Sequence, residues 1–102
     1  MTVRRAHRDN PMNPGHYLRI DEDAGITHVE KPEPKATGMP YARGHAPVVD
    51  VVRKDGHLVL QSPYNHAVLH VLHTSDEVLA WLRERTHMTE ADEACLRRIC
   101  DR

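Results

Sequence analysis

The apolar residues of this chain are concentrated in one segment, where they are divided by turn-forming residues. Fourteen of the 21 Val, Leu and Ile residues lie within 48–82. Two apolar runs at 48–53 and 58–61 flank Asp55-Gly56, a pair that favours the positive φ angles of a two-residue β-turn. We therefore predict a β-hairpin that places like residues opposite each other: Val52 and Val59, Val51 and Leu60, Asp50 and Gln61.

The segments before this hairpin are less apolar. Short β-like runs at His16–Ile20 and Ile26–Glu30 are separated by an acidic turn at 21–25, which predicts a modest first hairpin. Residues 31–47 contain four prolines and no Val, Leu or Ile until the next strand, so we expect a long Pro/Gly loop there. Residues 1–14 show no periodicity, and we expect them to form a basic N-terminal arm.

Helical patterns follow the second hairpin. Ser62-Pro63 is typical of an N-cap and first helical position, and the apolar spacing from Tyr64 to His73 favours a helix. A strand over 65–73 is the alternative interpretation of the same residues. Thr74–Glu77 matches a capping box that begins a further helix, and a last helix is predicted to begin at Thr89.

This order of elements predicts an α+β domain over 15–102. It consists of a small antiparallel sheet of about four strands, in two hairpins, followed by two or three C-terminal helices packed on one face. We expect Trp81 to pack on the 48–60 hairpin at the centre of the fold, together with Val78, Leu79 and Leu82. Because the hairpin is apolar on both faces, we also predict a homodimer that covers one of them.

Charge and composition exclude several classes of protein. The chain has 14 basic and 15 acidic residues, which is unlike a general polyanion binder. Its apolar runs are too short for a membrane span, and the N-terminus lacks the apolar stretch of a secretory signal, so we expect a cytoplasmic protein. Cys95 and Cys100 point away from each other on the predicted last helix, which favours free thiols.

Histidine is unusually frequent, at nine of 102 residues. If 63–73 is helical, His66, His70 and His73 lie at about 0°, 40° and 340° on the helical wheel, opposite the apolar side. Imidazoles so arranged could bind Zn²⁺, with a further ligand from His57, Asp76 or Glu77. They equally suit the solvent face of an amphipathic helix, and the group separates if the segment is a strand.

Two other surfaces are candidates for binding. Tyr41, Arg43 and His45 in the 39–45 loop combine contact area with directional donors, which favours a partner-binding loop. Arg4, Arg5 and Arg8 in the N-terminal arm could contact nucleic-acid phosphates. The first hypothesis is a non-enzymatic interaction module, such as an adaptor or inhibitor of mobile-element origin. A zinc protein or small metal-dependent enzyme is the second, and a weak nucleic-acid binder is the third.

Overall fold

The turns and capping residues of the sequence produce a five-stranded antiparallel sheet followed by two helices. We describe the fold from a computed structural model, which describes residues 15–32 and 45–102. The strands lie side by side in chain order. The elements are β1 (Arg19–Asp23), β2 (Ile26–Pro32), β3 (His45–Lys54), β4 (His57–Gln61), β5 (Val68–Leu72), α1 (Ser75–Arg83) and α2 (Glu90–Cys100).

A tight turn with positive φ angles joins the two strands of each hairpin, β1 to β2 and β3 to β4. Ala24 and Gly25 have φ angles of 53° and 82°, and Asp55 and Gly56 have φ angles of 53° and 80°. Positive φ at both central residues is the conformation that matches the twist of an antiparallel pair. The predicted register of the second hairpin is confirmed in three pairs: Asp50 with Gln61, Val51 with Leu60, and Val52 with Val59.

The first hairpin is displaced from its predicted position. β1 occupies Arg19–Asp23 because the turn requires only Ala24 and Gly25, so most of the predicted acidic loop is strand. β2 continues to Pro32 and β3 begins at His45, so both strands extend into the segment predicted as a loop. The remainder of that loop and the predicted N-terminal arm are not among the residues described.

The helix predicted over 63–73 is wrong. Residues 62–67 form a turn, in which the Ser62 N–H donates to the Ala67 carbonyl at 2.8 Å and the His66 N–H donates to the Ser62 carbonyl at 2.9 Å. The chain then returns along β4 as β5. The apolar spacing here fits both a helix and a strand, and pairing with the open side of β4 decides in favour of the strand. The sheet therefore has five strands and is followed by two helices.

Both predicted helix starts are confirmed. The Thr74 side chain accepts from the Glu77 N–H, and the Glu77 carboxylate accepts from the Thr74 N–H. Thr89 and Asp92 form the same reciprocal capping box at the start of α2. Each box satisfies backbone N–H groups that a helix N-terminus leaves without a partner inside the helix.

The two helices cover one face of the sheet, and the core lies between the helices and that face. The core residues are Leu18, Val29, Val49, Val51, Leu58, Leu60, Val78, Leu79, Leu82, Leu96 and Cys100. The sequence predicts Trp81 at the centre of the fold, and this prediction is wrong. Trp81 is only partly buried, against the edge of this cluster. Val78, Leu79 and Leu82 take the inward face of α1, and Trp81 lies at the margin of that face.

Candidate functional site

Exposed apolar side chains gather at one edge of the sheet. Among the residues that the structure describes, five large hydrophobic side chains are exposed, and four of them lie within 64–71. We call these four the β5 edge patch: Tyr64, Val68, Leu69 and Val71, with 76%, 59%, 44% and 52% of their surface exposed. Contiguous exposed apolar surface of this kind marks interaction sites.

The position of β5 in the sheet explains the exposure. β5 is the last strand in the sheet order, and within the described chain it pairs only with β4. The register shifts between Leu60 and Gln61, because Leu60 pairs with His70 while Gln61 pairs with Val68, so Leu69 is the extra residue of a bulge. The chain turns toward α1 after Leu72, which is the one residue of β5 packed against the core.

Among the described strands, β5 is paired along one side only. An edge strand presents N–H and C=O groups on its outer side, and proteins usually protect such edges with lysine, proline or inward-pointing charges. β5 contains none of these residue types, since its sequence is Val-Leu-His-Val-Leu. Its one protective feature is the bulge at Leu69. The edge therefore offers both apolar side chains and backbone groups suited to strand addition.

An apolar row extends the β5 edge patch across the face of the sheet opposite the helices. Ile26 pairs with Val52, Val52 with Val59, and Val59 with Val71. Alternation along each strand places these side chains on the face opposite to Val51 and the other core residues. Val59 is 6% exposed, whereas Val71 at the outer end is 52% exposed. The row is therefore most buried at Val59 and most exposed at Val71, while Ile26 and Val52 are half-buried.

The three histidines of the proposed stripe are not brought together. His66 lies in the turn before β5 with a φ angle of 63°, and His70 lies in β5 with its ring 6.2 Å from that of Trp81. His73 follows β5 and contacts His57 instead. Within residues 15–32 and 45–102, no group of three or more His, Cys, Asp or Glu side chains is arranged to hold a metal ion.

The other sequence-predicted site residues are mostly beyond the described ranges. His45 is the first residue of β3, and its side chain is exposed. Tyr41 and Arg43, its companions in the predicted partner-binding loop, are outside the part of the chain that the structure describes, as are Arg4, Arg5 and Arg8 of the arm.

His57 and His73 form an exposed imidazole pair that spacing in the sequence does not reveal. Their Nδ1 atoms are 3.2 Å apart, and their ring centroids are 4.9 Å apart at an interplanar angle of 77°. The His73 backbone N–H donates to Glu77 Oε1 at 2.7 Å. Backbone N–H groups of His73 and Thr74 thereby hold the pKa of Glu77 below its usual value of 4.5.

A second pair, His28 and Asp50, lies on the sheet face opposite the helices. His28 Nδ1 is 2.8 Å from Asp50 Oδ1, and the Asp50 side chain is 4% exposed. A carboxylate oxygen accepts hydrogen bonds, so this contact orients the His28 ring through its Nδ1 atom. Asp50 stands out in the sequence as an acidic residue inside a Val-rich run, a signal that could have indicated a buried polar partner.

Trp81 lies beside His70 of β5, and Arg85 packs on the Trp81 ring. The Arg85 guanidinium carbon lies 3.9 Å from the centroid of the Trp81 ring, a cation–π contact. The Trp81 indole N–H is buried and has no acceptor among the described residues. Tryptophan and arginine are among the residue types enriched at the energetic centres of interfaces, and here the tryptophan contacts the exposed strand.

The two cysteines lie in α2 as free thiols, in agreement with the sequence prediction. Burial raises the pKa of Cys100 to about 11 and also raises the pKa of Cys95. A nucleophilic cysteine needs a lowered pKa because the thiolate is the reactive form. These thiols are therefore poorly suited to covalent catalysis.

Comparisons with known proteins give no family for this chain. No protein-family model, curated protein or solved structure matches it. Within the described residues, no helix is both long and apolar enough to cross a membrane.

Proposed function

We propose that this chain is a non-enzymatic protein-interaction module that binds by strand addition at β5. The observation that carries the proposal is the concentration of exposed apolar side chains in the β5 edge patch, on a strand that is the last in the sheet formed by residues 15–32 and 45–102. In strand addition, backbone hydrogen bonds supply affinity, and alternate side chains supply specificity. An adaptor and an inhibitor would both require such a surface.

The partner strand we propose is β5 of a second copy of this chain. Antiparallel pairing about a twofold axis at His70 places Leu69 of one copy opposite Val71 of the other, so the same surface serves both copies. Apolar cross-strand pairs each contribute roughly 0.2–1 kcal/mol. The strand carries no acidic or basic residue besides His70, so charge repulsion between the paired strands is small at neutral pH. The resulting dimer would contain a continuous ten-stranded sheet.

The nucleophile candidates of the described chain also favour binding over catalysis. Ser62 Oγ accepts from the Tyr64 N–H at 3.2 Å, which is a turn-forming contact. Ser75 is buried at the first position of α1, within 3.4 Å of an Arg97 nitrogen. Together with the raised thiol pKa values, these contacts support a structural role for each of these side chains.

A charge placed in the β5 edge patch tests the proposal. We expect the wild-type protein to have twice the monomer mass by size-exclusion chromatography with light scattering, and Val71→Lys to shift it to the monomer, because the lysine would have to be desolvated in the paired sheet. Ala94→Lys is the matched control, since Ala94 is exposed on α2. A wild-type monomer at the highest soluble concentration, or a Val71→Lys dimer, would contradict the proposal.

A further inference from the structure

We propose that His57 and His73 form a two-imidazole binding site for Zn²⁺ at the corner where β4 begins and β5 ends. The site differs from the stripe considered from the sequence, because it joins two neighbouring strands and excludes His66 and His70. It does not depend on the proposed pairing of β5. The proposal rests on the spacing of two nitrogen atoms and on the rigidity of the elements that carry them.

The spacing matches tetrahedral zinc coordination. Zn–N bonds of about 2.0–2.1 Å at a tetrahedral angle place the two nitrogens about 3.3 Å apart. The Nδ1 atoms of His57 and His73 are 3.2 Å apart. A square-planar ion with bonds of similar length requires a separation of about 2.9 Å, so the pair is closer to the zinc geometry than to that of Cu²⁺.

The orientation of the rings permits both nitrogens to bind the same ion. The centroids are 4.9 Å apart, farther than the two nitrogens, so each Nδ1 lies on the side of its ring that faces the other ring. The rings cross at 77° rather than stacking. Both residues are accessible enough for water to complete the coordination, since His73 is exposed and His57 is half-buried.

The backbone holds both ligands in place before an ion binds. His57 pairs with Lys54 beside the tight Asp55-Gly56 turn. The His73 N–H is held by Glu77 Oε1 at the start of α1. The Glu77 carboxylate also adds negative charge beside His73, which favours a cation there. A site on strands and helix termini loses less entropy on binding than one on a mobile loop.

The alternative is a plain imidazole–imidazole hydrogen bond, in which one Nδ1–H donates to the other Nδ1. The zinc site and the hydrogen bond have nearly the same nitrogen spacing, but only the zinc site gives saturable metal binding. Zn²⁺ would displace the shared proton, because a ligating imidazole must present a lone pair. Binding of the metal alone therefore distinguishes the two arrangements.

The test uses the full-length protein without a histidine tag. We expect isothermal titration with ZnCl₂ to show one Zn²⁺ per chain, and NMR to show the ring signals of His57 and His73 shifting first. His57→Gln and His73→Gln should each weaken binding about tenfold or more, since loss of an outer-shell partner alone costs about 10–100-fold. His66→Gln is the matched control, because His66 is exposed in the turn before β5. Mg²⁺, which prefers oxygen ligands, should not bind.

Three results would overturn the proposal. They are the absence of saturable Zn²⁺ binding, an equal loss of affinity in His66→Gln, and zinc-induced shifts confined to other histidines. Circular dichroism of each variant establishes that the fold is retained, and an unfolded His57→Gln protein would be replaced by His57→Asn. Light scattering with and without Zn²⁺ separates this site from the proposed pairing of β5, because the two properties should change independently.

Discussion

β4 and β5 are neighbouring apolar strands of equal length, yet they differ sharply in exposure. Leu58, Val59 and Leu60 of β4 are 3%, 6% and 0% exposed, whereas the apolar residues of β5 are largely open to solvent. β4 lies between two strands and beneath the helices, while β5 is a sheet edge. The comparison shows that place in the sheet, and not composition, decides which apolar strand becomes core and which stays exposed to solvent.

The opposite edge of the sheet is protected. β1 has the sequence Arg-Ile-Asp-Glu-Asp, and charged residues of this kind discourage pairing with another chain. Asp92 of α2, which is fully buried, accepts from the backbone N–H groups of Tyr17 and Leu18 just before β1. Arg102 also forms a bidentate ion pair with Glu22 at 2.9 and 3.0 Å. Of the two edges of the described sheet, the β1 edge is therefore protected and the β5 edge is not.

The largest expected effect comes from truncating the same residue type in the two strands. Leu60→Ala in β4 should lower the free energy of unfolding by about 3 kcal/mol, because it leaves a cavity beneath the helices. Leu69→Ala in β5 should change it by less than about 0.5 kcal/mol in the monomer, because the side chain already contacts water. Urea denaturation of both variants, made in the Val71→Lys background to remove pairing, measures the difference. Equal losses would refute the comparison.

The second effect contrasts the capping carboxylates at the two edges. Asp92→Asn should cost about 2–3 kcal/mol, because one oxygen of a buried acceptor that serves several N–H groups becomes a donor. Glu77→Gln, the matched change in the other capping box, should cost much less because Glu77 is exposed. Thermal unfolding of the two variants under identical conditions checks this order. A larger loss for Glu77→Gln would show that the β5 edge is more firmly held than the structure indicates.

The smallest effect concerns pH. The lowered pKa of Glu77 means that the unfolded chain takes up its proton more readily than the folded chain. Its contribution to stability is therefore present above the usual pKa of 4.5 and is lost as pH falls through the lower folded-state value. The stability difference between wild type and Glu77→Gln should accordingly narrow from neutral pH to about pH 3. A difference that stays constant over this interval would contradict the pKa shift.

Local signals in the sequence predicted some elements well and others poorly. Asp55-Gly56 specifies its own turn and thereby the register of β3 and β4, and Thr74 and Thr89 each mark a helix start through a partner three residues later. The apolar spacing of 64–73 favours a helix although β5 lies there, because a short apolar run fits both the helical and the strand periodicity. The sequence offers His57 only as an added ligand for the stripe of three histidines, and it does not predict the direct His57–His73 and His28–Asp50 contacts, because their members are 16 and 22 residues apart.

Local patterns along the chain are enough to predict the α+β class, the hairpin of β3 and β4, and the starts of both helices, because each depends on interactions between residues a few positions apart. Only the tertiary structure decided that the segment after Pro63 is a strand, that its apolar side chains face solvent, and which imidazoles meet. Those outcomes depend on pairing with β4, and pairing between distant segments is set by the balance of the whole sheet rather than by the residues of one strand.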